Sequence, residues 1–395
     1  MTTSDLDRAR QIAETVERFV RDVVVPYETD PRRDDHGPLD VLVYEMRAKA
    51  RAAGVLTPHI LPDGSHLSHR GVALVLQASG LSPLGPLAVN TFAPDEGNMF
   101  LLGAVATPQQ REHFLAPLIA GEGRSCFLMT EPASEGGAGS DPSMMRTTAR
   151  QDGDDWIVDG RKAFATGFEG ARFAILMAKT MRGDTQAATM FLVDLPNPAI
   201  ILDRLIDTID SSMPGGHAVV TIDNLRLPGS AVLGAPHEGF DYAQVRLGPA
   251  RLTHCMRWLG SARRAHEIAT DYAVKRQAFG KLLIDHEGVG FMLAENMIDL
   301  QQCAVMIDWC ADALDRGEKA ITESSMAKVS VSETLYRVAD RCVQVMGGTG
   351  VSRDTVVEQV FRELRAFRIY DGPTEVHKWS LAKNIKRTAL ARQAG

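Results

Sequence analysis

Apolar residues recur along this chain with two different periods. Near the start, Ile12, Val16, Phe19, Val20 and Val23 fall at helical spacing, and residues 39–53, 68–80 and 109–120 read as helix as well. After about Ser125 the character changes. Residues 156–160, 173–177, 190–193 and 218–222 are short runs rich in β-branched, aromatic and other apolar residues, with Asp152-Gly153, Arg182-Gly183-Asp184 and Pro214-Gly215-Gly216 as turn signals between them. They predict an antiparallel sheet or small barrel, with 156–160 a strand ending in a turn. Long amphipathic stretches return after about Glu238, at 251–276, 287–314, 319–346 and 354–368. These predict a four-helix bundle, with a last helix near 374–392. The expected class is therefore α+β and multidomain. Its parts are an N-terminal helical domain over 1–123, a middle β-barrel or sheet domain over 124–236, and a C-terminal helical bundle over 237–395.

Composition narrows the function. A net charge of −7, with Lys and Arg spread along the chain, argues against non-specific nucleic-acid binding. The five cysteines are odd in number and form no Cys-x-x-Cys, so reduced buried thiols in a cytoplasmic protein are expected. The histidines lack ligand-like spacing with Cys or paired carboxylates, and no metal site is expected. No apolar run approaches the ~18 residues of a membrane span, and the N-terminal stretch does not read as a signal peptide.

Several segments carry chemistry. Tyr370-Asp371-Gly372-Pro373-Thr374-Glu375-Val376-His377 sets a carboxylate beside a Gly turn. A carboxylate in a dry apolar cavity has a raised proton affinity and suits a general base. The segment Tyr272-Ala-Val-Lys-Arg276-Gln-Ala-Phe279-Gly280-Lys281 ends a helix with an Arg, whose fork suits a pyrophosphate. Gln344-Val-Met-Gly347-Gly348-Thr349-Gly350 permits close backbone approach. It follows a helix, whereas a dinucleotide fingerprint follows a strand, so a Rossmann site is not expected. Upstream lie Phe127-Leu-Met129-Thr130-Glu131-Pro132, Gly139-Ser140-Asp141 and Gly160-Arg-Lys-Ala-Phe164-Ala-Thr166-Gly167.

Together these motifs resemble the acyl-CoA dehydrogenase family over nearly the whole chain. The resemblance implies FAD, whose ring needs hydrogen-bond partners at its polar edge and apolar contacts on its faces. Thr130 would bond the pyrimidine edge, with Phe127 and Met129 as neighbouring contacts. Phe164, where the family has Trp, would pack on the ring, and Thr166 would bond near flavin N5. Arg276, Phe279, His286, Gln344, Gly347 and Gly348 would reach FAD on a neighbouring subunit, and Thr374 and Glu375 would complete the cofactor site. Asp371 would be the catalytic base where most members carry Glu, resembling a branch that reads Asp-Gly-Pro-x-Glu-Val-His. Arg251 falls where the family has an Arg close to base and substrate, and it would serve as a second catalytic residue and a substrate contact. Ser140 would touch both the cofactor and the substrate, and Asp95, Asn98 and Gly372 are further expected substrate contacts. Two departures stand out. Ser140 follows Thr130 by ten residues, a loop four longer than usual, and Gly248 replaces an Asp that contacts CoA in the family. His217 reads as a strand-start or flavin-loop residue and His254 as packing.

The expected function is thus an FAD-dependent acyl-CoA dehydrogenase forming a trans-2-enoyl-CoA. The electron acceptor would be an electron-transfer flavoprotein, and the assembly a homotetramer or homodimer. The alternatives are a flavin oxidase resembling nitroalkane oxidases, which also use Asp as base, and a non-catalytic FAD-holding scaffold.

Overall fold

The structure is a computed structural model that describes residues 3–394. Helices come first, from Thr3–Phe19 through Asp40–Ala52, His69–Ser79 and Asp95–Val105 to Ala116–Ile119. Seven strands follow: β1 (Ser125–Leu128), β2 (Thr148–Asp152), β3 (Asp155–Thr166), β4 (Phe173–Arg182), β5 (Thr185–Asp194), β6 (Ile200–Leu205) and β7 (His217–Pro228). Helices then return at Gly239–Ala273, Glu287–Asp315, Ile321–Met346, Val357–Phe367 and Thr374–Ala394.

Local chemistry explains several boundaries. The Ser68 side chain accepts from Gly71 N and starts His69–Ser79. Thr107 and Gln110 form a capping box that opens the segment leading to Ala116–Ile119. The helix expected from residue 251 begins instead at Gly239 and runs through Pro249. Past its end a small hairpin pairs Gln277–Ala278 with Lys281–Leu282.

The chain folds as two compact units. One comprises Met1–Asp30, Ala50–Val89 and Gly248–Gly395; the other comprises Pro31–Lys49 and Asn90–Leu247. In the first unit, the helices His69–Ser79 and Gly239–Ala273 meet at paired glycines. A Cβ on Gly80 would lie 2.0 Å from the Arg257 carbonyl, and one on Gly260 would lie 2.1 Å from the Gln77 carbonyl.

The second unit is built on the seven-stranded sheet, in the order β1-β4-β2-β3-β7-β6 with β5 on β4. The expectation of a purely antiparallel sheet needs correcting, because β1 pairs β4 in parallel, as does β2 at Thr148. β1 enters directly from the helical segment, so no hairpin forces it antiparallel. Leu128, Trp156, Val158, Leu176, Phe191 and Val220 fill the core of this unit.

β3 does not end at Gly160. The register with β7 shifts there, a bulge, and the strand continues to Thr166. Gly160 has φ +153°, and a Cβ would lie 2.6 Å from Thr147 Cα, so only glycine fits. A second shift between Lys162 and Ala165 precedes Thr166 at the strand's end and takes in Phe164.

Candidate active site

In the first unit, the helix Val357–Phe367 gives way to a tight turn before Thr374–Ala394 begins. Asp371 (φ +55°) and Gly372 (φ +100°) are both left-handed. A Cβ on Gly372 would meet His377 Nε2 at 2.6 Å. Two donors hold this turn. Arg251 Nε and His377 Nε2 each reach the Asp371 carbonyl at 3.1 Å. His377 therefore carries its proton on Nε2, and Nδ1 accepts from Ser325 Oγ at 3.1 Å. Burial, reinforced by Arg251, pushes His377 down to about 4, so it stays neutral. Burial also lowers Arg251, while Asp371 opposes that shift.

The carboxylate itself meets a residue that sequence reasoning assigned to packing. His254 Nε2 lies 3.3 Å from Asp371 Oδ2. Its ring packs on Tyr370 and Phe367, and Trp258 Nε1 donates to the Tyr370 hydroxyl at 2.5 Å. Lys328 was also missed. Its side chain is fully buried, with Nζ 5.4 Å over the Phe367 ring. Burial drives its pKa down to about 8, although the charge of Asp371 is among those opposing the shift. Thr374 is buried with its hydroxyl committed to Glu333 at 2.6 Å, and Glu375 is exposed in the first turn of its helix.

The remaining cofactor candidates of this unit lie at or near the surface. Arg276 and Phe279 sit on the hairpin, Phe279 at φ +51° and 98% exposed. His286 Nε2 bonds the Ala278 carbonyl at 3.0 Å, and its ring stands edge-on to Phe279. Gln344, Gly347 and Gly348 lie exposed at the end of Ile321–Met346, with open space where either glycine's Cβ would be.

In the second unit, the segment after β1 lies along the end of β3. Ala163 N donates to the Thr130 carbonyl at 2.9 Å, and Lys162 Nζ donates to the Met129 carbonyl at 3.0 Å. The ion pair of Lys162 with Glu131, 3.0 Å apart, is almost wholly buried. Glu131 also accepts from the amides of Ala138, Arg146 and Thr147. Burial pushes its carboxyl up, but Lys162 and the Arg146 and Thr147 amides outweigh this and hold it at about 2. This anchor lays Met129 and Thr130 along Lys162 and Ala163 of β3, the residues just before Phe164. Phe164 is exposed at φ +52°, and the Arg246 guanidinium covers the Phe127 ring at 4.2 Å.

Thr166 carries a connection that no spacing in the sequence suggests. Its Oγ1 lies 2.9 Å from His217 Nδ1, and His217 Nε2 lies 3.0 Å from Asp210 Oδ2.

Ser140 is exposed in the long loop closed by Glu131 and Thr147. The extra residues form a turn at Ala133–Glu135, where the Glu135 carboxylate pairs with Arg161. Asp95 and Asn98 lie in a buried polar cluster. Asp95 accepts from Ser125 N and Oγ, each at 2.7 Å, and pairs with Arg47; Asn98 bonds Ser125 and Arg246. Their polar groups are taken up within the fold.

The residues present fit FAD. The β3 edge offers hydroxyls at Thr130 and Thr166 with apolar Met129 and Phe164, which matches a ring with a polar rim and apolar faces. The exposed Arg276 and the open glycines Gly347 and Gly348 match a pyrophosphate. Among the described residues no group of His, Cys, Asp or Glu is arranged to hold a metal, and no helix is long and apolar enough to cross a membrane.

The fold and these motifs agree, and the chain belongs to the acyl-CoA dehydrogenase family. The family's middle-domain model matches residues 126–210 and its C-terminal-domain model residues 237–386. FadE2 of Mycobacterium tuberculosis, named as an acyl-CoA dehydrogenase, is 33% identical over 92% of this chain and 90% of its own length. Acyl-CoA dehydrogenase family member 11 of Gallus gallus is 32% identical over 96% of this chain; the chain spans about half the length of that relative, 51%. A solved structure assigned as an acyl-CoA dehydrogenase from Mycobacterium abscessus is 34% identical and superposes with a TM-score of 0.87 over 98% of both chains. Butyryl-CoA dehydrogenase from Megasphaera elsdenii, 22% identical with a TM-score of 0.82 over 98% of both chains, shares the fold.

Proposed function

We propose that this chain dehydrogenates an acyl-CoA thioester to its trans-2-enoyl-CoA, with Asp371 as the base that takes the α-proton. The observation that carries this reading is the Asp371 turn. A left-handed carboxylate-bearing residue is fixed through its own carbonyl by Arg251 and His377, and its carboxylate rests against His254. Left-handed backbone at a non-glycine residue costs on the order of 1 kcal/mol or more and persists where surrounding contacts over-determine it. With the backbone pinned at its carbonyl, the carboxylate, the basic group of this residue, is held in a fixed place. Arg251 and His377 are positioning residues, since both act through the backbone of Asp371. Gly372 supports the turn.

Bound FAD supplies the hydride acceptor for the β-hydrogen. Thr130, Met129, Phe127, Phe164 and Thr166 would hold its ring, and Arg276, Phe279, His286, Gln344, Gly347 and Gly348 its pyrophosphate side. Thr374 acts through Glu333 in this reading, steadying the helix start beside Asp371. The family resemblance supports an electron-transfer flavoprotein as acceptor. A homotetramer or homodimer is supported by the apolar surface of the first unit, where Phe279, Phe291, Met297 and Val305 are exposed. The buried thiols fit a cytoplasmic setting.

The test is anaerobic mixing of the purified yellow protein with acyl-CoAs of graded chain length. Bleaching of the flavin band by some of them is expected. Asp371→Asn should keep the flavin and lose reduction by at least the roughly 10²–10⁴ that a general base contributes. An active Asn variant would end the base assignment. A flavin that no thioester bleaches would favour the oxidase or scaffold alternatives.

A further inference from the structure

We infer that Asp210 and His217 set the hydrogen-bond polarity of the Thr166 hydroxyl, so that Thr166 meets the bound flavin as an acceptor. His217 opens β7 and faces Thr166 across the antiparallel pair, in direct register. Its side chain is 11% exposed and that of Asp210 5%, so water competes little for either bond. Burial pushes the Asp210 carboxyl up, but the bond from His217 outweighs it and keeps Asp210 below its ordinary value. An ionised carboxylate only accepts, so Nε2 carries the ring hydrogen. A neutral ring with its hydrogen on Nε2 leaves Nδ1 bare, and the Thr166 hydroxyl then donates to it. The hydroxyl hydrogen is thereby drawn inward, and the oxygen lone pairs are left toward the open edge of β3. The competing acceptor is the Phe164 carbonyl at 3.5 Å, beyond a good O–H···O distance.

The other charged or titratable groups around this ring do not displace Asp210. The His36 ring packs on Gly216. Arg124 bonds the Gly167 and Pro214 carbonyls and is paired with Asp40. A Thr–His–Asp chain of this kind orients the first hydroxyl by fixing the tautomer of the second group, as the Asp of a hydrolase triad does. Here the oriented hydroxyl belongs to a threonine on a cofactor edge, and it acts as a positioning group.

The consequence for the cofactor rests on the reading above that Thr166 borders the flavin ring. An acceptor at this edge matches a ring nitrogen that bears a hydrogen, the reduced form. A donor matches the bare nitrogen of the oxidised form. The relay as built therefore favours reduced flavin. Asp210→Asn reverses it at constant shape. The amide NH₂ donates to Nε2, Nδ1 takes the hydrogen, and the Thr166 hydroxyl becomes free to donate outward.

Two measurements test this. The first is ¹⁵N NMR of the His217 ring in flavin-stripped protein. It should show hydrogen on Nε2 in the parent chain and on Nδ1 in Asp210→Asn; the same tautomer in both would overturn the relay. The second is the midpoint potential of bound FAD, set electrochemically without any thioester. Asp210→Asn should shift the reduced-to-oxidised ratio about tenfold toward oxidised, about 30 mV more negative for a two-electron couple. In a Thr166→Val background the same change should have no effect. A reversed tautomer with an unmoved potential would overturn the inference, as would a shift that survives in Thr166→Val. If Asp210→Asn does not fold, Thr166→Val alone should lower the potential, and an unmoved value overturns the inference. A protein whose potential behaves as stated but which no acyl-CoA reduces would sink the dehydrogenase reading and leave this one standing.

Discussion

Glu131 shows how one side chain shapes a functional edge. The sequence motif draws attention to its neighbour Thr130, yet Glu131 does the holding, tying Lys162 and three backbone amides around one buried carboxylate. Removing one partner of a buried pair leaves the other charge uncompensated and costs about 3–5 kcal/mol. Glu131→Gln should lower unfolding stability in urea by that order at neutral pH. The carboxyl is held at about 2 against an ordinary 4.5, so its contribution is present above pH 4.5 and is lost as pH falls toward 2. The gap between parent and variant should narrow over that window. Lys328 has the opposite sign. Its folded value near 8 lies below the ordinary 10.5, so the unfolded chain binds the proton more tightly in between. Lys328→Met should be the more stable protein at pH 7, with an advantage that shrinks from about pH 8 to 10.5. A pH-independent difference would show that the ammonium is not the cause. Neither Lys328 nor the Asp210–His217 pair was legible in the sequence. A buried cation inside a helical repeat looks like a solvated one, and a loop residue seven before a strand-start His follows no motif.

At the level of elements, hydrophobic period located the long helices and four of the seven strands. It failed where a local signal was ambiguous. Asp159-Gly160 reads as the end of a strand, but in the fold it is a bulge that bends β3 and lets it run on to Phe164 and Thr166. β2 (TARQD) is mostly polar and exposed, and β6 (IILDRL) is mostly exposed with its apolar residues bunched at its start, so neither carries apolar alternation. Separately, Asp95 and Asn98 read in the sequence as part of a segment lining the acyl pocket. They lie on a buried helix turn whose partners, Ser125, Arg47 and Arg246, are remote in sequence. The bulge gives a direct prediction. Gly160→Ala forces a Cβ against Thr147 backbone, which should cost about 1–3 kcal/mol, read as a lower thermal midpoint.

For the molecule as a whole, the Arg276 hairpin and the Gly347-Gly348 turn stand out in the sequence because an arginine and glycines sit at short fixed spacing there. What lies against them was not. A fully exposed Phe279 is unfavourable in an isolated chain, and the assembly proposed above would cover it. Arg276→Ala should lower FAD occupancy of the purified protein and flatten the rise in melting temperature on adding FAD. Unchanged occupancy would refute its role at the pyrophosphate.

The five cysteines have a practical consequence. All are buried, and burial raises each thiol, to about 12 for Cys303, Cys310 and Cys342. Since only the thiolate attacks electrophiles, the native chain should be nearly silent toward maleimide dyes while it stays folded. One surface cysteine introduced at the tip of the lengthened loop, Glu135→Cys, would then be the single labelling point. A fluorophore there would follow that loop optically as ligands arrive, with no background to subtract.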